Sequence, residues 1–151
     1  MKVPSRCAQL GFSMIELLIV AGLIGVVAAF AIPEIRGSMT AYRLKASANL
    51  IAEELDAARV MAISRGAIYE VQFSDRVVRV IDIEDNGAAA RLPKSFEPGV
   101  RLTTVPSAGI RFFPRGYAQA ANLTLQNEVG TRIQVRVLVS GKIQVEDMVG
   151  E

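Results

Sequence analysis

The stretch Gly11–Pro33, GFSMIELLIVAGLIGVVAAFAIP, decides how the rest of the chain is read. From Leu17 to Ile32 it runs sixteen residues without a charged or polar side chain. Extended back to Phe12 it is 21 residues long, interrupted only by Ser13 and Glu16. As a helix, a segment of that length spans about 31 Å. The hydrocarbon core of a bilayer is about 30 Å thick. The segment is therefore long enough to cross a membrane once, and no later stretch approaches it. Hydropathy alone leaves three readings open. A secretory signal would use Lys2 and Arg6 as its charged region and Ala29-Phe30-Ala31 as its small-x-small cleavage site. A plain anchor is the second reading. A buried core helix is the third, and it would seldom stay uncharged for so long. Glu16 fits the first two poorly, because a carboxylate at a helix centre in a bilayer costs about 2.5–3.5 kcal/mol, and less near an end.

Helical patterning continues past Pro33. Leu44, Ala48, Ile51, Leu55, Ala58 and Ala62 follow alternating steps of four and three, the apolar stripe of an amphipathic helix. Arg43, Lys45, Glu53, Glu54, Asp56 and Arg59 lie mostly off that stripe and read as a solvated face. Arg65 followed by Gly66 is a helix stop with a cation in the last turn. The pattern predicts one helix from about Phe12 to Arg65, kinked near Pro33.

From Ala67 the period shifts toward two. Tyr69, Val71 and Phe73 alternate with Glu70 and Gln72. A two-residue turn at Ser74-Asp75 would set Glu70 opposite Arg79 and Val71 opposite Val78. Asp85-Asn86-Gly87 ends this unit, and residues 88–98 read as a loop. Strands are expected around Val100–Thr104, Ile110–Phe113 and Leu123–Gln126, with a turn at Pro114-Arg115-Gly116. The clearest alternation is Ile133, Val135, Val137 and Val139 against Arg132, Gln134 and Arg136, continued by Ile143 and Val145. Matching the apolar faces places Val139 opposite Ile143 across a loop of Ser140-Gly141-Lys142. The fold class is therefore α+β, a long N-terminal helix packed on a mainly antiparallel β domain.

Composition narrows the function. The chain has 151 residues, 17 basic and 15 acidic side chains, no His and a single Cys, Cys7. A formal charge of +2 gives no field that argues for nucleic acid. The missing His removes the commonest general base and metal ligand. One Cys excludes an intrachain disulfide. No phosphate loop, nucleophile elbow or metal-ligand cluster is present. Glu53-Glu54 and Asp82/Glu84/Asp85 lack the ligand spacing of a calcium loop and read as a solvated face and a turn. No catalytic residue, metal or cofactor is expected.

The residues at the start of the apolar run carry more. A short basic leader ends in Gly11, Phe12 follows, Glu16 comes four residues later, and Pro33 closes the helix. This resembles the class III signal of the type IV pilin and pseudopilin superfamily. Ser13 and Met14 stand where Thr and Leu are commoner. The resemblance implies that a prepilin peptidase cuts between Gly11 and Phe12 and that Phe12 becomes N-methylated. The mature chain would then carry 15 basic and 15 acidic side chains and no cysteine. It also implies that Glu16 meets the cationic amino terminus of a neighbouring subunit during assembly, since paired buried charges are tolerated where lone ones are not. Otherwise Glu16 would only snorkel to the headgroups. Ala21, Gly25 and Ala29 recur at four-residue spacing and would let helix backbones approach closely.

Phe113-Pro114-Arg115-Gly116, Leu123-Thr124-Leu125, Arg132–Val139 and Ser140-Gly141-Lys142-Ile143 are similar to the C-terminal half of the GspH/FimT family. Those are minor pseudopilins of type II secretion and minor pilins of type IV pili. The pilin-like division expected is a leader over 1–11, a transmembrane and filament-core helix over 12–33, its amphipathic continuation over 34–66, and a periplasmic β domain over 67–151. The implied function is a minor pseudopilin that supports protein export, anchored once in the bacterial inner membrane. Its implied partners are other pseudopilins or pilins, the prepilin peptidase, the inner-membrane assembly platform and the membrane itself. The alternative is a minor type IV pilin, with DNA uptake as the extreme case. DNA uptake would require a basic face, for which Arg132 and Arg136 share a strand face and Arg111 and Arg115 are expected nearby. The acidic tail Glu146–Glu151 opposes it, and Gly141-Lys142-Ile143-Gln144 stands where FimT-like DNA binders carry arginine. Nucleic acid is not expected as a partner.

Overall fold

A computed structural model of the chain describes residues 12–74 and 76–148, with residues 29–36 described by their backbone alone. One helix, α1, runs Met14–Arg65. Among the described residues nine strands follow: β1 Tyr69–Ser74, β2 Val77–Asp82, β3 Ala88–Ala89, β4 Lys94–Ser95, β5 Val100–Thr104, β6 Ile110–Phe112, β7 Ala121–Asn127, β8 Arg132–Val137 and β9 Ile143–Met148. Two units are compact in themselves, Met1–Gly37 and Ser38–Glu151. The kink expected at Pro33 lies outside the described side chains.

In the larger unit every pairing is antiparallel. One sheet has the order β3-β2-β1-β6, with β4 also on β2, and the other has the order β5-β7-β8-β9. The stripe read from the sequence is their common floor. Leu44, Ala48, Ile51, Leu55, Ala58 and Ala62 are all buried, in one cluster with Tyr69, Val71, Ile110, Phe112, Leu123, Leu125 and Val135. The three alanines matter as much as the large residues, because a small side chain lets a sheet approach the helix. Full burial of a Leu or Ile stabilises by about 1.5–3 kcal/mol.

Two hairpins sit one residue away from their expected turns. Ser74 pairs with Val77, so Val71 faces Val80 and Glu70 faces Ile81. The start of β2 is held from its other side, where Val77 pairs with Ser95 and the Phe96 N–H donates to the Arg76 carbonyl. In the last hairpin Val137 faces Ile143, and the Leu138 N–H donates to the Lys142 carbonyl. The three-residue loop is thus Val139-Ser140-Gly141, with Gly141 at φ +76°. Such loops place their left-handed residue last, which Gly141 alone supplies. Both shifts are by two in register, so each side chain keeps its face. Val145 nevertheless stays exposed, because β9 lies at the sheet edge.

Residues 88–98 are not a plain loop. They contain β3 and β4, and an ion-pair cluster ties them to α1. Glu54 is only 2% exposed, against the expectation of a solvated face. It accepts from Lys94 Nζ at 2.8 Å and faces Arg91 Nε at 3.1 Å. Two turns back, the Ser47 hydroxyl accepts a hydrogen bond from the Glu97 N–H at 3.1 Å. Positions 47 and 54 sit beside the stripe at helical spacing, so the buried face is wider than its apolar residues.

The cost of breaking this cluster depends on which side is removed. Arg91 and Lys94 keep 39% and 37% of their side chains in solvent and can turn to water. Glu54 cannot. The double change Arg91→Met, Lys94→Met strands a buried carboxylate and should cost about 3 kcal/mol. Glu54→Gln should cost about 1 kcal/mol. Urea unfolding of the detergent-solubilised chain checks the order, and the reverse order would refute this account.

Candidate functional site

The N-terminal unit starts from local chemistry. The Ser13 carbonyl accepts from the N–H groups of Glu16 at 3.0 Å and Leu17 at 3.2 Å, making Ser13 the N-cap of α1. Ser13-Met14-Ile15-Glu16 has the spacing of a capping box, a signal the sequence reading passed over. Glu16 lies in the first turn, where the helix dipole favours a carboxylate. Beyond it the apolar surface goes all the way round. Leu17, Leu18 and Ile19 point in three directions and remain 60%, 69% and 59% exposed. A Cβ added at Gly22 or Gly25 meets nothing within 4 Å. A helix apolar on every side requires another surface around it. Among the described residues no helix is long and apolar enough to cross a membrane; the described side chains of this run end at Ala28. Phe12 and Glu16 are both exposed, and Gly11 lies outside the described residues.

The other candidates do not converge. Arg132 and Arg136 do share the outer face of β8, but Arg136 Nη2 pairs with Glu146 at 3.4 Å. Arg111 belongs to the other sheet, where its Nε donates to Glu70 at 2.7 Å. No shared basic face forms from them. Among the described residues no group of three or more His, Cys, Asp or Glu could hold a metal ion. The Asp82 carboxylate instead accepts from the N–H groups of Glu84 and Asp85 and closes its own turn. The Tyr69 hydroxyl helps to hold the Asp82 carboxyl below its usual range. A surface groove of about 450 Å³ beside β5 and β7 is lined by Gly99, Arg101, Thr103, Gln126, Asn127 and Glu128. That lining holds no Cys, His or Lys.

Glu70, read from sequence as outward-facing, is 6% exposed. Burial pushes its carboxyl up, and the hydrogen bonds from Gln72 and Arg111 with the Arg111 charge outweigh that and hold it below its ordinary value of 4.5. A depressed folded value stabilises the protein at higher pH, and the contribution is lost as pH falls below the ordinary value through the folded one. Stability of the full chain should therefore fall as the pH drops below about 4.5. Glu70→Gln should flatten that slope. A denaturation series of the two proteins between about pH 6 and pH 3 checks it.

Residues 47–141 match the family described as Type II transport protein GspH. The chain belongs to the GspH family. That match begins inside α1 and includes β3 and β4, within the residues that read as a loop from the sequence. Residues 6–32 match the prokaryotic N-terminal methylation motif, which spans Gly11, Phe12 and Glu16. The fold is similar to two solved structures of the minor pseudopilin EpsH from the type II secretion system of Vibrio cholerae. One is 15% identical with a TM-score of 0.59, covering 70% of this chain and 97% of that one. The other is 13% identical with a TM-score of 0.60, covering 72% and 96%. No curated protein is similar enough to the chain to count as a match. This GspH-family chain is a minor pseudopilin of a type II secretion system, a structural subunit that assembles with other pseudopilins in a pseudopilus.

Proposed function

We propose that the chain enters the pseudopilus through its N-terminal unit after processing at Gly11. The all-round exposure of the apolar residues from Met14 to Val27 carries this reading. In it, residues 1–11 are a leader that the prepilin peptidase removes, and Phe12 is then N-methylated. Residues 12–33 cross the inner membrane once and later line the filament core. Residues 34–66 continue the helix, and residues 67–151 are the β domain on the periplasmic side. The inner-membrane assembly platform receives the processed subunit, and the subunit takes part in protein export without catalysing a reaction.

Glu16 has two tasks in this reading. Within one chain it favours the first helical turn. Between chains it meets the cationic amine of a neighbour's Phe12, where each charge offsets the other's desolvation. Ala21, Gly22 and Gly25 leave room for a neighbouring backbone.

Mass spectrometry of the membrane-extracted protein should give a chain that begins at Phe12 and is heavier by one methyl group. Replacing Gly11 with a bulkier residue should leave the leader attached. A mature chain starting at Ile32 would establish an ordinary signal peptide and remove the basis of this reading.

Glu16→Ala makes the apolar run more apolar, so insertion should persist or improve. Cleavage should persist too, since the residues at the cut are unchanged. Crosslinking to other pseudopilins in membranes should drop, and secretion with it. A Glu16→Ala chain that crosslinks and supports secretion like the natural one, at native expression levels, would show that Glu16 plays no pairing role.

A further inference from the structure

Three segments of the larger unit meet beside the last turns of α1: residues 59–65 of the helix, the 113–117 turn and the 138–142 loop. They are tied together by hydrogen bonds to backbone carbonyls and by close contacts at two glycines. Arg59 Nε donates to the Gly116 carbonyl at 3.2 Å. A Cβ added at Gly141 would collide with that same carbonyl and lie 2.7 Å from Arg59 Nε. A Cβ at Gly116, at φ +84°, would lie 3.2 Å from Ile63 Cδ1. The Ala118 N–H donates to the Val139 carbonyl at 3.0 Å, and Phe113 stacks on Tyr117 with ring centroids 4.5 Å apart. Gly141 leaves no room for a side chain, and the positive φ of Gly116 would strain one, so both contact points favour glycine.

Around this closed joint the side chains face outward. Val60 is 56% exposed, Ile63 51%, Tyr117 44% and Val139 63%. Each of the three segments contributes apolar surface that no other part of the unit covers. Because their backbones are already locked, covering them costs little ordering.

Within the three segments themselves, charge has one sign; the Asp82 carboxylate beside Arg65 belongs to β2. The three segments carry Arg59, Arg65, Arg115 and Lys142 and no Asp or Glu, in a chain with 15 acidic residues. Arg59 is engaged with Gly116, and Arg65 donates to the Tyr69 hydroxyl at 3.2 Å. Arg115 and Lys142 are exposed and make no ion pair among the described residues.

We propose that this end of the unit docks a neighbouring pseudopilin, a different chain, that presents apolar side chains ringed by carboxylates. The proposal rests on the pseudopilus reading above and adds the surface and the partner's chemistry. A second copy joined through the same patch would set Arg115 and Lys142 against their own counterparts, and like charges across an interface repel. A partner with carboxylates at its rim turns that repulsion into steering.

The test uses the full chain in membranes with the other pseudopilins of its system present. A photoreactive residue replaces Val139, Val129 or Leu18 in three separate chains. Val129 is an exposed apolar control in the turn between β7 and β8, at the opposite end of that sheet from Val139. Val139 should crosslink to another pseudopilin, within a segment carrying at least two Asp or Glu, at least about fivefold more than Val129 does. Adding Arg115→Glu and Lys142→Glu should reduce that product about fivefold or more, the scale of two exposed ion pairs. Raising salt from about 0.05 to about 0.5 M should reduce it for the unaltered surface as well. The Leu18 product should survive all of these changes. If Leu18 crosslinks to pseudopilins and Val139 does no better than Val129, the docking surface is wrong and the pseudopilus reading stands. If neither crosslinks, that reading fails and the docking surface falls with it. A Val139 product with a second copy or an exported protein overturns the assigned occupant. A product indifferent to both charge reversal and salt overturns the electrostatic basis.

Discussion

The larger unit depends on one constraint, the contact between six small or aliphatic residues of α1 and two separate sheets. Leu44, Ala48, Ile51, Leu55, Ala58 and Ala62 are each 0–1% exposed, which leaves no slack along the contact. Among the described residues the sheets are separate ladders, and the helix stripe packs in one core with the inner faces of both. Both hairpin registers answer to it. A slip of one residue would turn Val71 or Val135 away from the helix, whereas a slip of two would not. The polar contacts of Ser47 and Glu54 extend the same helix face to residues 91–97, which carry few apolar side chains of their own.

That difference explains what could be read in advance. Periodicity reports faces, so the helical stripe, the buried side of β8 and the α+β class were legible from the sequence. Periodicity does not report which residue of a turn takes the left-handed conformation. Both hairpins were therefore placed one residue off while every apolar side chain kept its side. Buried charge was illegible for another reason. Glu54 and Glu70 look like solvated residues until Arg91 and Lys94, or Arg111, arrive from sequence positions 37 to 41 residues away. A long-range ion pair leaves no local pattern. Residues 88–89 and 94–95 were missed because two-residue strands are defined by their partner β2 and not by their own composition.

The N-terminal unit is the opposite case. Its chemistry lies in contiguous residues, so Gly11, Phe12, Glu16 and the apolar run could be singled out without any fold. What the sequence reading overlooked there was ordinary helix chemistry. Ser13 and Glu16 satisfy the spacing of a capping box, and that reason for a carboxylate at this position holds in a single chain. In the proposed assembly, the side chain that starts the helix is also the one that offers the counter-charge.

A generic helix and a specific body divide the demands of assembly. The apolar surface from Met14 to Val27 is aliphatic on every side and carries almost no shape or charge by which one neighbour could be told from another. Affinity can come from such a surface, but discrimination needs features that penalise the wrong partner. In the larger unit those features are unevenly spread. Arg111 and Arg136 are cancelled by Glu70 and Glu146, and Arg91 and Lys94 are spent on Glu54. Arg115 and Lys142, two of several cations without an ion pair among the described residues, stand beside apolar side chains that the backbone joint holds outward. An uncompensated charge beside uncovered apolar surface is what discrimination requires, and it is found where three otherwise separate segments are pinned by two glycines.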